Sequence, residues 1–354
     1  MEIDVKYSLF DALINWFLFT PLVVAFWCGT YGLIDILLFD LIDSRQLATI
    51  FVLLFGVSIE FTITYWQDKI SEFARELTGI KFAFFSRGYN YVLATANICH
   101  YRAIQEVYDS IFGPENFGAC VQTAVTSIVL LWSLRAGRNI TALPFCVSLD
   151  SETENWFSAP TLYQRYSYLC DVIITVMCVW SLAPLHWITF GYFLDHVIFP
   201  DFPELSSAVS CLLGYTVVAV FSYYQYEIRN WSKYYDNEKR MITKTFLENF
   251  FIWGATAGVI ATWKGLGMAI DMTSKAHPIY LNDVNISSLC LNVISFTLLS
   301  LCHVSASLVA KGAEMDGSIA NGDGVEFSRL YLRHFYEDYI KKEKAASVAK
   351  SKID

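Results

Sequence analysis

The chain has 354 residues, 55% of them hydrophobic and 16% aromatic, with a mean hydropathy of +0.40. Charged residues make up 17%, against about a quarter in soluble domains, and the net charge is −9. These values exclude an ordinary soluble domain and argue against a nucleic-acid binder.

Several apolar stretches match the roughly 20 residues that a helix needs to cross a bilayer, and the short alternating segments of a β-barrel are missing. The expected class is an all-α polytopic membrane protein whose surroundings are the lipid bilayer.

The first apolar run, from Leu9 to Leu41, is too long for a signal-peptide core and closes without a small-x-small cleavage site, so the first helix is expected to insert and stay. It carries "FWCGTYGLID", in which Trp27 is followed by Gly29 and, eight positions on, by Asp35. The same arrangement returns as Tyr101, Ala103 and Asp109, as Trp187, Thr189 and Asp195, and as Trp263, Gly265 and Asp271, at intervals of 74, 86 and 76 residues. Four copies at near-regular spacing mark tandem repeats.

After each aspartate comes a short polar or Pro-containing stretch and then a second apolar run, at 47–66, 118–136, 206–226 and 287–309. The repeating unit is read as a helical hairpin, A then B. Four hairpins, about 10–66, 84–136, 168–226 and 246–309, give eight transmembrane helices within residues 1–310. The second A helix is unusually polar, with Arg87, Asn90, Asn97, His100, Arg102 and Glu106, and it is the repeat that assigns it a span.

The turns after the aspartates hold only Arg45 and Lys275, against 21 Lys and Arg on the opposite side. The positive-inside rule therefore puts both termini in the cytosol and the motif aspartates outside. In this topology the sequon at Asn285 lies outside, and those at Asn139 and Asn230 lie inside. Most of the nine cysteines sit in apolar runs as small hydrophobes, and Cys120, Cys211 and Cys290 fall near one set of helix ends, where pairing is open.

Residues 311–354 read as a cytosolic tail. "KGAEMDGSIANGDG" has the composition of a flexible Gly-rich linker. "EFSRLYLRHFYEDYIKKEK" alternates aromatics and charges as an amphipathic helix, which lies on the membrane, docks on a partner or packs under its own bundle.

Eight residues of helix place each aspartate about 12 Å from its aromatic. With the aspartates at the outer interface, the aromatics lie deeper than an aromatic belt. The glycines, including Gly254-x-x-x-Gly258, suit close helix packing. The aspartates either end the spans in water or form a ring of carboxylates around an outer vestibule.

Ionisable residues deeper in the spans are Glu60, His100, Arg102, Glu106, His186, Lys264 and His303, each costly to bury unless paired. Arg102 and Glu106, four apart, can pair on one helix face. Lys264, beside Trp263, either snorkels or meets Asp271 or Glu60. The set either orients helices by internal pairing or lines a path for a solute. The histidines lack metal-site spacing, and no nucleophile-elbow, zincin or P-loop motif occurs. No catalytic residue, metal or cofactor is expected.

"FWCGTYGLIDILLF" and "ATWKGLGMAID", with "HYRAIQEVYDSIF" between them, resemble the Fuseless family of eight-span membrane proteins. That family's repeated element joins an aromatic, a basic residue and glycine, followed by an aspartate. The match is good at Trp263, Lys264, Gly265 and Asp271, and fair at Tyr101, Arg102 and Asp109, where Ala103 replaces glycine. Cys28 and Ile188 stand where a basic residue is expected, and "HWITFGYFLD" is the least typical copy.

The resemblance covers most of residues 10–310. It implies an invertebrate neuronal protein of the plasma membrane that organises the presynaptic membrane or calcium channels in support of synaptic transmission. Its partners would be calcium channels or presynaptic scaffold proteins met through cytosolic loops and tail. The family has also been compared with vesicular transporters. Two functions follow: a non-enzymatic membrane organiser, or a secondary transporter or channel with a polar path lined by the repeated motif.

Overall fold

The structure, a computed structural model, describes residues 10–150, 167–281, 284–309, 315–325 and 331–332. These residues are overwhelmingly helical, and their only strand pairing joins Tyr280–Leu281 to Val284–Asn285. The main helices are α1 (Phe10–Phe39), α2 (Arg45–Tyr65), α3 (Gln67–Glu76), α4 (Gly79–Ile111) and α5 (Phe117–Ser133). They continue with α6 (Tyr168–Val197), α7 (Pro203–Asn237), α8 (Met241–Ala276) and α9 (Ser287–Leu301).

Local chemistry sets several of these ends. Ser44 accepts from the Leu47 amide to cap α2, Asn116 accepts from Ala119 to cap α5, and Pro203 occupies the first turn of α7, where its missing N–H costs nothing. Lys239, at a φ of 56°, reverses the chain between α7 and α8.

Four helices, α1, α2, α6 and α7, are long and apolar enough to cross a membrane. The other four helices of the expected eight-span plan are present but fall short of that criterion. α4 and α8 carry Arg102, Glu106 and Lys264 towards the inside of the bundle. α5 and α9 are 17 and 15 residues long and hand over to buried non-helical chain. Such backbone is tolerated at membrane depth only where protein surrounds it, and residues 136–141 are fully enclosed.

The helices pair differently from the hairpin reading. Each A helix packs most closely on the B helix of the preceding repeat: α2 on α4, α5 on α6 and α7 on α8. The ring closes with the last B helix, α9, on the first A helix, α1. Helices joined by the turns after the aspartates make no comparable contact. The four A helices also touch in cyclic order, α1 to α4 to α6 to α8 and back to α1, so they form an inner ring and the B helices an outer one.

The motif's small residue accounts for this pairing. A Cβ on Gly29 would fall 2.5 Å from the Asn292 amide of α9, and one on Gly265 would fall 2.6 Å from the Ser207 carbonyl of α7. Gly56 of α2 meets the Ala96 and His100 backbone of α4 in the same way. Without a hydrophobic driving force between helices in lipid, such close approach is what gains packing energy.

Two halves of the chain are related by a reciprocal clasp. After α5, Arg135 takes a φ of 52° and a 3₁₀ turn follows at Gly137–Ile140. After α9, His303 takes a φ of 59° and a 3₁₀ turn follows at Ser305–Leu308. Asp316 donates its amide to the Arg135 carbonyl (2.9 Å), and Asp150 donates its amide to the His303 carbonyl (2.8 Å). The Asp316 carboxylate accepts from the Gly137 and Arg138 amides, and that of Asp150 from the Ala306 amide and the Ser305 hydroxyl. Each aspartate thus caps the turn that follows one half.

The Gly-rich stretch beyond residue 310 is not a free linker over residues 315–325. Asp316 is buried beneath Arg135, and a Cβ on Gly324 would meet the Glu248 carboxyl. The proposed amphipathic helix lies outside the described residues except for 331–332.

Candidate functional site

The four motif aromatics converge at the centre of the inner ring. Trp27 meets Tyr101 edge-on (centroids 5.7 Å, 88°) and Trp263 (5.5 Å, 78°), while Trp187 meets Trp263 (5.2 Å, 78°). Their indole N–H groups turn away from the centre to backbone carbonyls of the two capped segments: Trp27 to Leu308 (3.1 Å), Trp187 to Ile140 (2.9 Å) and Trp263 to Leu143 (2.6 Å). Trp27 and Trp187 therefore reach reciprocally, each to the 3₁₀ turn that ends the other half.

Above the aromatics lies a cavity of about 620 Å³, within the range of small-molecule sites. All four A helices line it, with Asp35, Gln105, Trp180 and Asp271 among the walls, and Asn139, Ser307 and Leu308 of the capped segments close its floor. It extends to the aspartate end of the bundle, where the Asp271 side chain is 58% exposed.

The motif charges pair across repeats. Arg102 of the second copy donates to Asp35 of the first (2.8 Å) and to Glu106 (2.7 Å), and Arg45 completes the cluster on Glu106 (2.9 Å). Lys264 of the fourth copy lies 3.1 Å from Asp195 of the third and donates to Ser206 and Ser210 of α7. One cation serves two copies in each half. This explains Cys28 and Ile188: the first and third copies supply the aspartate and borrow the base.

The expected link of Lys264 to Asp271 or Glu60 is replaced by Asp195, because α8 packs on α7. Asp271 pairs with Lys275 one turn on (2.7 Å), and Asp109 accepts from the Tyr192 hydroxyl (2.8 Å). The aspartates are therefore not an unpaired ring.

The remaining intramembrane polar groups lie off the cavity lining. Glu60 of α2 meets His100 Nδ1 of α4 at 2.7 Å, and His100 Nε2 lies 3.0 Å from the Ser181 hydroxyl of α6, which ties three helices together. His186 Nδ1 faces the Ala124 carbonyl of α5 (3.0 Å). His303 is a helix-end residue, with Arg87 at 3.1 Å from its Nδ1. All nine cysteines are free, and no cluster of metal-ligating side chains occurs among the described residues.

Sequence reasoning missed Tyr31, Gln105, Trp180 and Tyr192 as lining or bridging groups, and Asp150 and Asp316 as caps. Tyr31 is one helical turn beyond Trp27, and its hydroxyl donates to Gln105 (2.8 Å). The distance along the chain between the two helices left no local signal for that contact.

A closed ring of repeated helices around an aromatic-floored cavity defines a multi-pass helical membrane protein with a repeat-built central site. The chain belongs to the Fuseless family, whose model matches residues 6–309. No curated protein and no solved structure matches it.

Proposed function

We propose that this chain binds a small solute in the central cavity and passes it as a secondary transporter or channel, with all eight ring helices spanning the membrane and both termini cytosolic. The observation that carries this reading is the convergence of the four repeated aromatics on one cavity whose rim holds the cross-repeat pairs Arg102–Asp35 and Lys264–Asp195. In a repeat-built transporter the substrate site sits where the repeats meet, near the bilayer midplane. A packed core would have no use for such a space, since helix association in lipid rewards close contact. The role proposed is non-enzymatic.

The reading is tested by reconstituting the protein in liposomes and following tracer uptake and conductance beside Gly267→Phe. A side chain at Gly267 finds open space, with its Cβ 3.9 Å from the Cys28 sulfur, so this change fills the cavity without displacing backbone. Flux in the wild type that the filled variant lacks supports the reading, and silence of both overturns it.

Family membership favours a second reading, in which the chain organises the presynaptic membrane or calcium channels through its cytosolic loops and tail. Removal of residues 326–354 separates the two: it spares solute flux in the first and abolishes partner binding in the second.

A further inference from the structure

The wall chemistry of the cavity says which solutes suit it. We infer that the cavity binds an organic ammonium ion, a quaternary or protonated amine, held by the faces of the motif aromatics and by the rim carboxylates. This inference rests on the solute-binding reading above and names its ligand class.

The first support is the aromatic box. Trp27, Tyr101, Trp187 and Trp263 stand nearly perpendicular to one another at 5.2–5.7 Å, and the three indole N–H groups are spent on backbone carbonyls. What remains for a ligand is the electron-rich ring surface, the recognised partner of alkylammonium groups. The fold already places a cation on the cavity aromatic Tyr31: the Arg102 guanidinium carbon lies 4.9 Å from its ring centroid.

The second is the shortage of donors. The side-chain amides of Asn97, Gln105 and Asn139 donate to the Leu93 carbonyl, the Tyr192 hydroxyl and the Ala136 carbonyl. Lys264 is committed to Asp195 and two serine hydroxyls. An anion would find few donors left to receive it, and an anionic site is normally built from convergent ones.

The third is the rim. Asp271 lines the cavity, and its ion pair among the described residues is with Lys275, whose side chain is 76% exposed. Exposed pairs of this kind exchange partners at little cost, so an arriving ammonium can take the carboxylate over.

The test is a titration of the full-length protein in nanodiscs, following tryptophan fluorescence and heat at constant ionic strength. The probes are choline, tetramethylammonium, glutamate and glucose, with sodium chloride as the ionic control. Saturable binding of choline and tetramethylammonium, weakened on the order of tenfold by Trp263→Leu and several-fold by Asp271→Asn, is the expected result. Asp271→Asn alters an exposed side chain and keeps the test valid where Trp263→Leu fails to fold. Binding of glutamate or glucose instead overturns the inference and leaves the solute-binding reading standing. Equal responses to sodium and to choline overturn the organic-cation assignment. Failure of every probe, with no flux, overturns both.

Discussion

Arg102 and Asp35, 67 residues apart and in different copies of one motif, are joined by a 2.8 Å hydrogen bond between the guanidinium and the carboxylate. Lys264 and Asp195 repeat the relationship in the second half at 3.1 Å. The unit of charge balance is thus a pair of repeats. Copies one and three lie 160 residues apart and copies two and four 162, which gives the same half-chain period as the reciprocal caps of Asp150 and Asp316.

The Lys264–Asp195 pair is expected to respond unequally to loss of either partner. The lysine side chain is 7% exposed and the aspartate 50%. Asp195→Asn leaves a buried ammonium with only hydroxyl partners and should cost about 2–4 kcal/mol. Lys264→Met leaves a carboxylate that water can reach and should cost less than about 1 kcal/mol. Thermal unfolding of both single variants and the double variant in one detergent measures this. Equal costs would show that the pair is not desolvated as described.

Ring closure through α1 and α9 is expected to depend on Gly29. Its Cβ position coincides with the Asn292 backbone, so Gly29→Ala forces two helices apart and should destabilise by about 1–3 kcal/mol. Gly191, on α6, has open space around its Cβ position, and Gly191→Ala should be neutral or stabilising by up to about 1 kcal/mol. A thermal-shift comparison of the two checks this, and similar losses would argue against the cyclic pairing.

Asp316 is expected to make stability pH-dependent. Burial holds its carboxyl above the ordinary range, opposed by the Gly137 and Arg138 amides. The folded chain therefore keeps this proton at a pH where the unfolded chain has lost it. The contribution is complete below the unfolded pKa and is lost as pH rises through the folded one. The melting-temperature difference between wild type and Asp316→Asn should shift in favour of the variant between about pH 4 and pH 7. A pH-independent difference would place the carboxyl in water.

What was legible in the sequence follows from what repetition encodes. The eight-residue gap from aromatic to aspartate recurs because each A helix presents the same face to the same centre, so the four aromatics could be found and their depth judged. Arg102 with Glu106 was legible because both lie on one helix face. The partner of Lys264 was not, since spacing along α8 says nothing about which neighbour supplies Asp195. The cyclic pairing was hidden because short turns suggest that consecutive helices pack together, whereas Gly29 and Gly265 admit the preceding B helix instead. Asp150 and Asp316 were invisible for a similar reason: they cap turns more than 150 residues away.

The most direct measurement is flux through the reconstituted protein, as conductance and as uptake of choline, for wild type beside Lys264→Met and Asp271→Asn, with folding of each checked by its melting curve. The expected result is flux in the wild type that both folded variants reduce at least tenfold. Folded, correctly inserted wild-type protein that moves nothing would contradict a permeation role for the repeated motif and reduce the cavity to a packing defect of the ring.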